Sequence, residues 1–152
     1  MYKKILVALE NGHADTALLP HVAELAGHFN SELLLVHVAD GWVARNFERL
    51  QLAESREMRE DKAYLEEKAA ELRAKGLKVT THLALGDPST EILKAAAANQ
   101  CDLIAMTTHG HRFLGDLFLG STIHDVRHRS PIPVLLVRAH PKATKSHQQK
   151  ES

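Results

Sequence analysis

The chain predicts an open, doubly wound α/β domain built on a five-stranded parallel sheet. Three observations carry that expectation. Short apolar runs recur along the chain, and most do not alternate, the pattern of strands buried on both faces. Between them lie segments with apolar residues at helical spacing. Strand and helix alternate throughout, and right-handed crossovers turn that order into a sheet covered on both sides. Ligands of such sheets bind beyond the carboxyl ends of the strands, where the strand order reverses.

The first strand is Ile5 to Leu9, a continuous apolar run with an Asn11-Gly12 turn behind it. Leu18, Val22, Leu25 and Phe29 then recur at helical spacing. Proline fits the first turn of a helix, so Pro20 sets the start near Asp15 or Thr16. Glu32 to Val38 is the second strand, and residues 39–47 read as loop. From Phe47 to Lys75 a polar stretch carries Leu50, Ala53, Leu65, Ala69 and Leu72, which suits one amphipathic helix or two. Gly76 is placed to cap it. Leu77 to Ala84 forms a third strand whose partial alternation marks a sheet edge with one wetter face. Asp87 then serves as N-cap and Pro88 as first residue of a helix through Ile92, Leu93 and alanines 95–98. Asp102 to Met106 and Pro133 to Val137 are the last two strands. Residues 1–140 thus form one domain, and 141–152 a polar, disordered tail.

At 152 residues the chain is long enough for a substantial core. Its formal net charge is zero and its pI about 7.2, which argues against nucleic-acid and membrane-surface binding, since both rest on a basic excess. The single cysteine, Cys101, allows no disulfide within the chain and fits a reducing, cytoplasmic setting. No stretch approaches the roughly 20 apolar residues of a membrane span.

The chemistry concentrates between the fourth strand and the last helix. Gly110 and Gly120 bracket nine residues, and Ser121 and Thr122 follow at once. Glycine lets backbone approach an anion closely. The first amides of a helix are unpaired, point outward and favour negative charge. This arrangement predicts a phosphate site. It is not a Walker A loop: Gly110 and Gly115 have the spacing, but Asp116 and Leu117 stand where lysine and a hydroxyl belong. Nor is there a Gly-x-Gly-x-x-Gly after the first strand, where Glu10-Asn11-Gly12 stands instead.

Strand, Thr107-Thr108-His109-Gly110, nine residues, Gly120-Ser121, helix: this order resembles the nucleotide-binding branch of the universal stress protein family. The family's motif is Gly, two residues, Gly, nine residues, Gly, then Ser or Thr. Gly110, Gly120 and Ser121 match it, and Thr107 stands in place of the first glycine. Lys3 to Leu9, Leu34 to Val38 and Ser130 to Val137 are similar to the family's opening, second and closing strands. The resemblance spans about 140 residues. It implies a Rossmann-like sheet of the adenine nucleotide alpha hydrolase type. The family usually ends its first strand with aspartate, and this chain has Glu10.

Carried over by position, the resemblance implies that Ala8, Leu9 and Glu10 line the nucleoside end, with Val38 beside the base. Met106, Thr107, His109 and Gly110 would close over ribose and phosphates. Gly120, Ser121 and Thr122 would hold the phosphates through amides and hydroxyls. His111 and Arg112, early in the loop, are added here because they could meet phosphate oxygens, Arg in bidentate fashion. The expected ligand is ATP, or ADP or AMP, with Mg2+ or Mn2+ bridging the phosphates. The expected action is a nucleotide-responsive stress or signalling role.

Other readings stand beside these. The glycines could serve only to turn the chain, Ser121 only to cap a helix, and Glu10 only as a solvated loop acid. Among the eleven histidines, His124 and His128 have the spacing used for zinc, but the Glu of the metalloprotease motif is absent. No dedicated metal site is expected, and no catalytic set is identified, so any ATP hydrolysis would be slow. The 133–137 strand, apolar and at an edge, is expected to pair with its copy in a homodimer. The alternative is a nucleotide-free dimeric interaction module of the same family.

Overall fold

The computed structural model of the protein describes residues 1–39, 56–109 and 120–140. Strand β1 (Lys4–Ala8), helix α1 (Asp15–Phe29) and strand β2 (Glu32–Ala39) come first. Helix α2 (Arg56–Ala74), strand β3 (Lys78–Leu85) and helix α3 (Pro88–Ala98) follow. Strand β4 (Leu103–Thr108), helix α4 (Gly120–Arg129) and strand β5 (Val134–Arg138) end the series. The expected tail, the part of the polar stretch that carries Leu50 and Ala53, and the loop residues Gly110, His111 and Arg112 lie outside the described residues.

All strand pairs are parallel, in the order β3-β2-β1-β4-β5. The chain winds outward from β1 to β3, then returns to place β4 on the other side of β1. The order reverses between β1 and β4, and it is beyond the carboxyl ends of such a strand pair that open α/β sheets take their ligands. Alternating side chains divide the core in two. Ile5, Val7, Leu33, Leu35, Leu103 and Ala105 point to the α1 and α2 side. Leu6, Ala8, Leu34, Val36, Ile104 and Met106 point to the α3 and α4 side. Each fully buried Leu, Ile or Met contributes roughly 1.5–3 kcal/mol, so the central strands hold the sheet together.

Local signals behave as their chemistry demands. Asp87 caps α3 by accepting from the Thr90 amide at 3.0 Å, with Pro88 in the first turn. Gly76, at φ +89°, ends α2, and the Leu77 amide reaches back to the Leu72 carbonyl at 3.3 Å. β3 is an edge strand with alternating exposure, as its pattern predicts.

Two expectations need correction. Pro20 is not in the first turn of α1; it lies inside the helix, as its sixth residue. The bond it cannot make is that to the Thr16 carbonyl, and both residues lie on the exposed face, where this is tolerated. β4 also runs beyond Met106 to Thr108, because Thr107 and Thr108 pair with Val137 and Arg138 of β5. Thr107 is therefore a fully buried strand residue, not part of a loop.

Candidate functional site

Beyond β1 the chain turns and buries Glu10 near the carboxyl ends of β1 and β4. Glu10 is 8% exposed and reaches across to β4. The Thr107 hydroxyl donates to Glu10 Oε2 at 3.3 Å, and His109 Nε2 lies 2.6 Å from the same oxygen. Thr107 has the parity of Leu103 and Ala105, so its side chain faces the α1 side, toward Glu10. The two positions that depart from the family motif, 10 and 107, thus touch each other.

Helix starts differ in whether their amides are already engaged. At α1 the Asp15 carboxylate accepts from the Glu10 amide at 2.9 Å and the Gly12 amide at 3.3 Å. Those two amides belong to the loop before the helix; the first amides of α1 itself are engaged by the Gly12, His13 and Ala14 carbonyls. At α3 the Asp87 carboxylate caps the Thr90 amide. At α4, Gly120 and Ser121 are exposed, and among the described residues no side chain caps the first amides. No described atom lies within 4 Å of the place a Cβ on Gly120 would take.

Several residues of the network were not singled out in the sequence. Asp15 is 1% exposed and also accepts from the Tyr64 hydroxyl of α2 at 2.8 Å. Burial pushes the Asp15 carboxyl above its ordinary value, against the pull of its donors. Burial likewise raises Tyr64, helped by the charge of Asp15. His37, on β2 and buried, has Nδ1 2.9 Å from the Leu9 carbonyl, so Nδ1 carries the proton. Its Nε2 lies 3.7 Å from Asp61 of α2, and the Asn11 amide donates to Asp61 at 3.0 Å. The signals were a histidine inside an apolar run and a tyrosine inside a polar helix; neither says what it would face.

Of the other predicted residues, Ala8, Leu9, Val38 and Met106 are at most 2% exposed, with side chains spent on the core. Thr122 is buried in the first turn of α4, next to exposed Ser121.

With this geometry in view, likeness to known proteins is informative. A model of the universal stress protein family matches residues 1–138. The chain belongs to the universal stress protein family. A universal stress protein of Thermus aquaticus is 34% identical over 148 residues, covering 91% of this chain and all of that one. Among solved structures, MJ0577 of Methanocaldococcus jannaschii matches with 31% identity and a TM-score of 0.77, over 93% of this chain and 99% of that one. A universal stress protein from Archaeoglobus fulgidus, solved in complex with dAMP, matches at 22% identity with a TM-score of 0.67, over 90% of this chain and 98% of that one. At that identity the likeness carries the fold.

Among the described residues of this universal stress protein, the other chemistry-bearing side chains converge on no second site. His124 and His128 are exposed and stack with ring centroids 5.9 Å apart, and among the described residues no three metal-binding side chains converge. Cys101 is buried, and burial pushes its thiol up, away from the reactive thiolate. A crevice of about 270 Å³ opens between α1 and α2, lined by Leu19, Pro20, Lys68 and Leu72 and also by Asp15 and Tyr64, which hold the loop after β1. No described helix is long and apolar enough to cross a membrane.

Proposed function

We propose that this universal stress protein binds ATP or another adenine nucleotide across the β1–β4 crevice and acts as a nucleotide-responsive signalling protein. The observation that carries the reading is the start of α4. The chain itself engages the starts of α1, through the Gly12, His13 and Ala14 carbonyls, and of α3, through Asp87, while the amides around Gly120 and Ser121 have no capping side chain among the described residues. Ala8, Leu9 and Glu10 would line the nucleoside end, with Val38 beside the base. Met106, Thr107, His109 and Gly110 would close over ribose and phosphates, His111 and Arg112 would meet phosphate oxygens, and Gly120, Ser121 and Thr122 would hold the phosphates. The fold admits such a ligand, since the Archaeoglobus fulgidus protein of this architecture was solved with dAMP. A bridging Mg2+ or Mn2+ would draw its ligands from phosphate oxygens and the Ser121 hydroxyl, since the described side chains offer no cluster of their own.

The test is calorimetric titration of ATP, ADP and AMP, with and without magnesium, beside mass spectrometry of gently purified protein. Co-purified adenine nucleotide and a saturable response are expected. A clean protein with no response favours the nucleotide-free dimeric module. One observation points that way: Glu10 is already held by Thr107 and His109. Turnover faster than about one per second would refute a purely binding role.

The homodimer belongs to the same proposal. β5 is an edge strand, and Val134, Leu135, Leu136 and Val137 are half-buried. Pairing with a second copy would cover this apolar edge. Light scattering should give twice the 16.9 kDa of the chain, and Val137→Lys should return the monomer mass. A wild-type monomer at micromolar protein overturns this part.

A further inference from the structure

Two side chains of α2 grip the loop that carries Glu10. Asp61 receives the Asn11 amide at 3.0 Å and faces His37, which itself holds the Leu9 carbonyl. Tyr64, one turn on, donates to Asp15 at 2.8 Å, and Asp15 holds the Glu10 and Gly12 amides. Positions 61 and 64 are three apart and so share a helix face. Loop residues 9–12 make contacts that run to these two residues directly or through one intermediary. Asn11 is in the left-handed region at φ 57°, which asparagine adopts more readily than most residues, and its side-chain amide donates to Asp61.

We infer that Asp61 and Tyr64 are positioning residues: they fix the 9–12 loop and thereby the pose of Glu10 at the crevice, which ties the docking of α2 to occupancy of the site. The ordering of the loop stands on the contacts above; its link to ligand rests on the nucleotide reading. A ligand that pulls on Glu10 is resisted through Asp15 and Tyr64. Conversely, a ligand that holds Glu10 in place steadies the first turns of α2, since coupling between two sites is reciprocal. A helix that reports on the crevice is what a protein without turnover needs to pass its state to a partner.

The experiment uses the full chain with Tyr64→Phe, which removes a hydroxyl and keeps the ring, Asp61→Ala, and the double variant. Amide hydrogen exchange is followed residue by residue by NMR, and ATP is titrated against each protein. In the double variant the Glu10 and Gly12 amides should exchange about tenfold faster while those of central β2 stay protected. ATP affinity should fall by about tenfold. In the wild type, ATP should slow exchange in the first turns of α2, and the double variant should lose that effect. Unchanged exchange at Glu10 and Gly12 overturns the inference, as does a general rise across β2, which would mean plain loss of stability. Wild type that binds ATP, with a double variant within about twofold of it, overturns the link to the site. Wild type that fails to bind ATP sinks the nucleotide reading and that link together, while loop exchange still decides the positioning claim.

Discussion

Asp15→Ala is expected to destabilise the protein by about 3 kcal/mol, read as a lower midpoint in urea unfolding at neutral pH. The change strands three donors at once: the Glu10 amide, the Gly12 amide and the Tyr64 hydroxyl. Each group left unmatched in a buried setting costs about 1–3 kcal/mol, and relief from burying a carboxyl offsets part of the sum. The loop that presents Glu10 loses its internal anchor as well, so ATP binding should disappear with it. A loss below about 1 kcal/mol would show that water replaces the carboxylate at no cost.

The same carboxyl sets a pH dependence whose sign follows from its environment. Burial holds Asp15 above its ordinary value of 3.8 in the folded protein. The folded state therefore binds this proton more tightly than the unfolded chain. The contribution of Asp15 is most favourable at and below pH 3.8 and declines as pH rises through the raised value. The stability of wild type minus that of Asp15→Asn should fall over that window and be flat above it. A difference that grows with pH would mean that the three donors outweigh burial.

Gly120→Val is the second large effect, and it falls on affinity instead of stability. No described atom meets a Cβ at Gly120, so the described residues leave room for a side chain there. Valine in place of glycine within the first turn of a helix shifts stability by only a few tenths of a kcal/mol. The same side chain would stand over the amides that are to receive phosphate. A fall of about 100-fold in ATP affinity, near 2.7 kcal/mol, is expected, with the unfolding midpoint nearly unchanged. Unaltered affinity would place the phosphates elsewhere.

Much of the architecture was legible residue by residue. Ile5 to Val7, Leu33 to Val36 and Leu103 to Met106 are buried on both sheet faces, and an unbroken apolar run has no other stable home. Asp87-Pro88 and Gly76 announced ends of helices, because caps are local chemistry. Thr107 was misplaced for a reason that is not local. Its strand continues because β5 lies alongside, and a partner 30 residues away leaves no mark on the motif. Pro20 was misread because tolerance of a missing bond depends on which face of α1 meets solvent.

The candidate site divides in the same way. Gly120 and Ser121 stand out as a pattern, because glycine and hydroxyl at a helix start are consecutive residues. That Asp15 holds the loop after β1 while Glu10 meets Thr107 and His109 is visible only in space, since Glu10 and Thr107 are 97 residues apart.

What the sequence by itself determined is the alternation of strand and helix, the family and the phosphate-type motif, all set by neighbours along the chain. Tertiary structure alone decided which helix starts remain uncapped by described side chains, which acids are buried, and that α2 holds the loop after β1. The physical reason is that burial and hydrogen-bond pairing depend on what the fold brings opposite each group, which spacing along the chain does not specify.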